Sequence, residues 1–200
     1  IGYWGTWKWK RYLLSLLGRT DQFLFFFRVL ILVFLIAFTG SSHAQTSEYL
    51  LKAGFLEKFA RFTDWPATSD LISNPQKPFI LSVMGENPFG KSLETLYRAG
   101  KIKKRSVKIQ YITALGEIDG SDMLFVSSSE TMRLPTILEY IHRKPILVVG
   151  DTHSFGEKGC HINLYVTDTQ TLHFEINLKQ VKASGLHPKL LLLEYGKVIQ

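Results

Sequence analysis

Residues 85–92 (GENPFGKS) fit the phosphate-binding pattern G-x-x-x-x-G-K-[ST]. In such a loop, backbone N–H groups surround the phosphates, the lysine contacts the terminal phosphates and the serine binds magnesium. Two residues oppose this chemistry here, because Pro88 has no N–H to donate and Glu86 sets a negative charge beside the phosphates. The alternative, which we favour, is a turn between a strand and a helix, with Phe89 packed beneath it.

Histidines, an aspartate and a cysteine near the end of the chain are the other residues that could do chemistry, as metal ligands. In a hairpin that pairs Val166 with Leu172, His173 faces Tyr165 and His161 lies four residues further along. At 3.3 Å per residue the two histidines are roughly 13 Å apart, too far to share an ion. Asp151 and His153 alone lack a third ligand.

A thiolate nucleophile is equally disfavoured, because Cys160 and His161 are adjacent at the start of a predicted strand and point to opposite faces. The sequence therefore predicts no catalytic residue, metal or cofactor. A third possibility is a small-molecule pocket formed by the loops after Met84, after Ser127 and at residues 151–155. Ligands of open α/β sheets bind at the carboxyl ends of the strands, and these loops share one edge if the strands are parallel.

An α/β framework must position these loops. Residues 47–62 predict an amphipathic helix that places Leu50 on its apolar face, keeps Lys52 on the solvent side and ends before Trp65 and Pro66. Strands separated by helices imply parallel pairing, and a short turn at 168–170 predicts an antiparallel C-terminal hairpin. The prediction is one α/β domain with a mixed sheet of about six strands flanked by helices. The predicted strands are 79–84, 107–112, 123–127, 146–150, 162–167 and 171–177, and the further helices are 88–98, 134–143, 178–184 and 187–197.

The N-terminal residues have the pattern of an export signal. Arg28 is followed by an apolar run, 29–38, and by small and polar residues up to Ala44. We predict a signal peptide over residues 1–44, cleavage after Ala44 and a domain over residues 45–200 that acts outside the cytoplasm. An uncleaved membrane anchor is the alternative, but Arg28 interrupts the apolar stretch that a spanning helix needs.

Removal of the predicted signal peptide also lowers the net charge of the chain. Loss of five basic and one acidic residue leaves 19 basic and 16 acidic residues, so the net charge falls from +7 to +3 and does not indicate nucleic-acid binding. The basic run from Arg98 to Lys108 lacks interleaved aromatic residues and predicts a solvated loop. Cys160 is the only cysteine in the sequence, which excludes an internal disulfide.

Several short motifs follow one another along residues 48–200, each occurring once. They are Lys52-Ala53 to Phe59 before Trp65-Pro66, then Pro88-Phe89-Gly90, residues 145–151 (PILVVGD), Gly159 with Ile162-Asn163-Leu164, Phe174-Glu175-Ile176-Asn177, and Gly185-Leu186 before Lys189-Leu190-Leu191. In this order and spacing the chain resembles the YfiR family of small periplasmic proteins.

The resemblance implies a non-enzymatic α/β regulator that restrains a membrane-bound diguanylate cyclase through its periplasmic region, and so controls cyclic-di-GMP and biofilm behaviour. It also implies a homodimer. The disulfide-dependent control of the best-known member cannot be intramolecular here, because Cys160 stands alone.

The resemblance and the pattern together single out residues for interaction. Trp65 is a contact residue of an interface or, alternatively, a core tryptophan. Asn177 is expected to cap the following helix. The full set is Trp65, Pro66, Phe89, Gly90, Asp151, Gly159, Asn163, Glu175 and Asn177.

Overall fold

A mixed β-sheet with helices on both faces is the framework of this protein in a computed structural model that describes residues 41–199. The elements, in chain order, are α1 (Ser41–Arg61), β1 (Thr63–Asp64), α2 (Asp70–Ser73), β2 (Phe79–Met84), α3 (Ser92–Tyr97), β3 (Lys101–Ile102), β4 (Arg105–Ile112), a 3₁₀ helix (Leu115–Ile118), β5 (Met123–Val126), a second 3₁₀ helix (Ser128–Glu130), α4 (Leu134–Tyr140), β6 (Leu147–Gly150), β7 (Ile162–Val166), β8 (Leu172–Asn177), α5 (Leu178–Ala183), β9 (His187–Pro188), α6 (Leu190–Tyr195) and β10 (Lys197–Ile199).

The main sheet has the strand order β10-β8-β7-β6-β5-β2-β4-β3. Five neighbouring strands, from β7 to β4, are parallel, whereas β8 is antiparallel to β7 and β3 is antiparallel to β4. The α/β class, the mixed sheet and the C-terminal hairpin are confirmed. The hairpin register is also as predicted, with Val166 opposite Leu172 and Tyr165 opposite His173.

The predicted helix over 187–197 is wrong, because this segment contains three elements. His187 and Pro188 form β9, which pairs with β1, so Pro188 lies in a short edge strand. Only Leu190–Tyr195 is helical, and Lys197–Ile199 then forms β10, which runs parallel to β8. These pairings involve residues far apart in the chain, which local periodicity does not reveal.

The predicted basic loop is also wrong in form. Its residues make the β3–β4 hairpin, in which Lys103 and Lys104 adopt positive φ angles of 50° and 66° in the turn. With β3 and β10 added, the sheet has eight strands.

Two apolar clusters lie on opposite faces of the sheet, because successive side chains of a strand alternate. Leu81, Phe125 and Val149 pack on one face against α1, α3, α5 and α6. Val126 and Val148 pack on the other face against α4 and the segment around Phe155. The result is a three-layer arrangement in which residues from all the central strands are buried.

Helix α1 begins at Ser41, earlier than predicted, and ends before the turn at Trp65 and Pro66. The predicted signal peptide, residues 1–44, lies almost entirely outside the described residues. Contacts group Thr46–Gln200 into one compact unit. Within residues 41–199, no helix combines the length and the apolar character that a membrane span requires.

Candidate functional site

Asp151 follows β6 directly, at the carboxyl edge of the parallel strands, and helix α1 covers it. Its Oδ2 accepts hydrogen bonds from Tyr49 Oη at 2.8 Å and from Lys52 Nζ at 2.7 Å. The side chains of Asp151 and Lys52 are 4% and 5% exposed. Lys52 also contacts Glu48 at 2.6 Å. These charges join the first helix to the end of a central strand, so they act as a structural clamp.

The burial of Lys52 corrects the expectation that it faces solvent. The clamp also changes the chemistry of Tyr49, because burial, followed by the carboxylates of Asp151 and Glu48, raises the pKa of its phenol. A phenol in this state donates a hydrogen bond and is not a base. Nothing in the helical pattern marks Lys52 as buried, since its partner lies 99 positions later.

The loops after β2, β5 and β6 share one edge of the sheet, because these strands are parallel as predicted. The first two loops contact each other: Ser129 Oγ accepts from the Glu86 N–H at 2.9 Å, and a Cβ on Gly85 would lie 2.4 Å from the same Ser129 oxygen. The third loop is held by the clamp at Asp151. The first two loops are therefore joined to each other and the third is joined to α1, while a small-molecule pocket at this edge stays a prediction.

The β6–β7 loop, residues 151–161, lies over the polar side chains of β7 and β8. Asn163 and Glu175 are opposite each other in the register, and Asn163 Nδ2 donates to the Thr152 carbonyl at 3.0 Å and to Glu175 Oε1 at 3.2 Å. Asn177 Nδ2 donates to the Gly156 carbonyl at 2.9 Å. Two of the residues singled out from the sequence, Asn163 and Asn177, thus hold this loop on the sheet, and the third, Glu175, accepts a hydrogen bond from Asn163.

Glycine is required where this loop approaches the sheet. A Cβ at Gly156 would lie 2.5 Å from Glu175 Oε1, and a Cβ at Gly150 would lie 2.7 Å from the ring of Phe155. Gly159 has φ +116°, which L side chains rarely adopt. Asn177 has a second role that confirms the predicted cap, because its Oδ1 accepts from the Gln180 N–H at the start of α5.

Trp65 is 5% exposed and packs edge-on against Phe79, with ring centroids 5.8 Å apart. Of the two alternatives that the sequence left open for Trp65, an interface residue or a core residue, the structure shows a core residue. Its indole N–H has no acceptor among the described residues. The neighbouring Pro66 offers its carbonyl to the N–H and hydroxyl of Ser69, which ends the turn.

Phe89 and Gly90 belong to the turn before α3. Phe89 is buried and lies edge-on to Tyr49 and Phe125, with centroid distances of 5.3 and 4.7 Å. Gly90 has φ +56°, and its carbonyl accepts from Asn87 Nδ2. Phe89 thus links the turn to the clamp at Tyr49.

The P-loop pattern does not form an anion cradle. The N–H groups of Gly85, Glu86, Phe89 and Ser92 already donate to Ile112, Ser129, Asn87 and Phe89 respectively. They are therefore not available to phosphate oxygens. This turn is the strand-to-helix connection that we favoured from the sequence.

His161 and Cys160 are buried at the end of the β6–β7 loop. His161 Nδ1 accepts from the Val148 N–H at 3.1 Å, and its Nε2 lies 3.1 Å from Ser184 Oγ, so the ring is neutral with its proton on Nε2. Burial lowers the pKa of His161 to about 4 and raises that of the Cys160 thiol. No group of three or more His, Cys, Asp or Glu in the described part of the chain is arranged to hold a metal ion.

Two solved structures match part of this chain at low sequence identity. A conserved domain protein from Vibrio cholerae O1 biovar El Tor has a TM-score of 0.53 and 12% identity, and the match covers 74% of this chain and 60% of that one. The ABC domain in complex with L-Trp from Streptococcus pneumoniae has a TM-score of 0.45 and 14% identity, covering 63% and 56%. The first likeness shows the α/β fold alone.

No protein of curated function is detectably similar in sequence. A family model described as YfiR/HmsC-like (DUF4154) matches residues 49–197. The match includes α1 from Tyr49 onward, every strand of the main sheet except the last two residues of β10, and the β6–β7 loop with the side chains that hold it. This chain belongs to the YfiR/HmsC-like family.

Proposed function

We propose that this chain is an exported, non-catalytic regulator that binds the periplasmic region of an inner-membrane signalling protein and restrains its diguanylate cyclase output. Membership of the YfiR/HmsC-like family is the observation that carries the proposal, because YfiR-like proteins are periplasmic regulators in cyclic-di-GMP signalling. The predicted export signal supports the same location. Partner binding needs a well-ordered surface and no reactive group.

The use of the polar side chains supports a binding role. Asn163, Glu175 and Asn177 face the loop backbone and one another, and Asp151 is bound by Lys52 and Tyr49. A catalytic site would instead direct such groups into a cleft. In this chain Asn163 and Asn177 hold the β6–β7 loop against the sheet, and a loop that is held before binding lowers the entropy cost of binding a partner.

The outer side of the β6–β7 loop is the docking surface in this proposal. His153, Glu157 and Lys158 are exposed there, whereas Phe155 and Cys160 anchor the loop in the core. A mixed set of charges on a rigid support favours a specific protein partner, because charge complementarity sets orientation and excludes wrong partners.

The test is genetic and biochemical. The gene is deleted in the source organism, and cyclic-di-GMP is measured after complementation with the wild type, with His153→Ala/Glu157→Ala/Lys158→Ala, or with the control Glu86→Ala/Lys91→Ala/His142→Ala. The control removes the same three side-chain types from exposed positions outside the loop. In parallel, each tagged protein is used to capture partners from envelope extracts.

We expect deletion to raise cyclic-di-GMP, and the wild type and the control to lower it again and to capture a membrane signalling protein. The loop variant should do neither. Unchanged cyclic-di-GMP after deletion, together with no captured membrane protein, would refute the regulator. A loop variant that behaves as the wild type would refute the docking surface.

A further inference from the structure

An apolar groove lies on the α1 side of the sheet, away from the clamp and the β6–β7 loop. Its volume is about 500 Å³. Helix α1 forms one wall, the start of β8 forms the floor and α6 forms the other wall. The lining residues are Phe55, Lys58, Phe59, Phe62, Leu172, His173, Phe174, Leu191, Leu192 and Tyr195.

The base of this groove is preformed by aromatic packing. Phe59 lies edge-on to Phe174 with centroids 5.0 Å apart, and Phe55 contacts both rings at 5.8 and 6.1 Å. The rim is open, since Leu191 is 42% and Tyr195 is 75% exposed. Ligand pockets in proteins have volumes of about 300–1,000 Å³ and mostly apolar linings, which describes this groove.

Among the residues that line the groove, Lys58 alone carries a formal charge. Leu172 and Phe174 alternate with His173 along β8, and the His173 ring stacks on Tyr165, its partner in the register, with centroids 5.9 Å apart. His173 therefore borders the groove without directing its ring into it. Lys58 is exposed on α1 and forms no ion pair with any residue between 41 and 199. Its neighbour Glu57 is paired with Arg61.

We propose that this groove is a binding site for a small amphiphile with an apolar body and one anionic head, such as a medium-chain carboxylate. The apolar part lies against Phe55, Phe59 and Leu191, and the carboxylate pairs with Lys58. Between Phe55 and Arg61 the helix rises by roughly 9 Å, a length that suits an extended acyl chain better than a bulky polar metabolite. This site is separate from the partner surface, so neither proposal depends on the other.

The test uses two soluble ligands with the same tail and opposite heads, decanoate and decyltrimethylammonium, below their micellar concentrations. Protein purified from cells that express the full chain is titrated by calorimetry. Leu191→Asp blocks the apolar wall and Lys58→Glu reverses the charge at the rim. The matched controls are Leu50→Asp, at a similarly exposed leucine of α1, and Lys91→Glu, at an exposed lysine outside the groove. Thermal melting checks that each variant is folded.

We expect saturable binding of decanoate that is tighter than binding of the cation. Leu191→Asp should weaken decanoate binding at least about tenfold, because it removes apolar contact area. Lys58→Glu should weaken it about fivefold and reverse the preference between the two heads. Both controls should bind as the wild type does. Absence of saturable binding, equal affinity for both heads, or an unchanged Leu191→Asp variant would each overturn the proposal.

Discussion

The Lys52 ammonium and the Asp151 carboxylate are both withdrawn from water and lie 2.7 Å apart, so they form a buried ion pair. Asp151→Asn leaves Lys52 with Glu48, whose side chain is 39% exposed, as its remaining partner. We expect this variant to lose about 2 kcal/mol in the free energy of unfolding, because the buried ammonium loses a charged hydrogen-bond partner and keeps only a partly exposed one. Lys52→Met alone should also be destabilising.

The double variant Lys52→Met/Asp151→Asn decides whether the pair acts as a unit. It removes both charges and keeps the shapes of the side chains, so it should be more stable than Asp151→Asn alone. Urea denaturation of the four proteins gives the coupling free energy. If the two single losses simply add in the double variant, the clamp is not a coupled pair.

The buried, neutral ring of His161 makes stability depend on pH. Its folded pKa of about 4 lies below the usual 6.5, so between these values the unfolded state binds the extra proton. The contribution of His161 to the free energy of unfolding is fully present above pH 6.5. It is lost as the pH falls towards 4, by roughly 3 kcal/mol in total.

His161→Gln should flatten the dependence of the unfolding free energy on pH between 7.5 and 4.5. The variant His142→Gln, at an exposed histidine, should keep the slope of the wild type. Chemical denaturation at several pH values measures both. A wild type and a His161→Gln variant with equal slopes would contradict the assignment of the buried proton site.

The reactivity of the Cys160 thiol can also be tested. It is fully buried and burial raises the pKa of its thiol, so both access and thiolate formation oppose reaction. We expect a thiol reagent such as DTNB to label native protein far more slowly than protein in urea, where labelling should be complete. Rapid labelling of the native protein would show that the cysteine is accessible and could form an intermolecular disulfide.

At the scale of elements, local pattern predicted the parts that depend on nearby residues. The strand Phe79–Met84 has the bounds that its apolar run predicts, and the β7–β8 register follows from the short turn between the strands. Lys52 and Leu50 show where the pattern fails. Helical periodicity placed Leu50 inside and Lys52 outside, whereas Leu50 is 50% exposed and Lys52 is buried, because Asp151 binds the lysine from a distant part of the chain.

The sequence identified residues of the candidate site but not the contacts that these residues make. The motif residues Asn163, Glu175 and Asn177 do lie on one face, which alternation along two paired strands implies. The two asparagines donate to backbone carbonyls of Thr152 and Gly156, in a loop whose path has no periodic signal. Contacts of this kind arise only once the sheet has formed.

The close packing of the β6–β7 loop on β6 can be tested at one glycine. Gly150→Ala would place a methyl group 2.7 Å from the fully buried ring of Phe155. We expect a loss of about 1–3 kcal/mol in the free energy of unfolding, as is usual for overpacked cores. Gly116→Ala, at a position with nothing within 4 Å of the added Cβ, should be neutral or stabilising by up to about 1 kcal/mol. Equal effects would show that the loop adapts easily.

At the scale of the whole molecule, an open sheet must protect its two edges from pairing with other chains. At one edge, β3 covers Arg105 and Ser106 of β4, and the turn between these strands carries Lys103 and Lys104. The other edge is β10, three residues that cover Glu175–Asn177 of β8. Short edge strands and lysines are both known devices against edge-to-edge association.

Removing the cover of β8 should therefore affect assembly as well as stability. Val198 pairs with Ile176 and is 44% exposed. Val198→Pro removes a backbone donor and disfavours the extended pairing of β10, which should cost at least about 1 kcal/mol. The uncovered edge of β8 should then promote self-association that increases with protein concentration, as measured by sedimentation velocity. Val198→Thr keeps the β-branched shape and should behave as the wild type. If the proline variant and the threonine variant have the same sedimentation behaviour and the same free energy of unfolding, β10 does not protect this edge of the sheet.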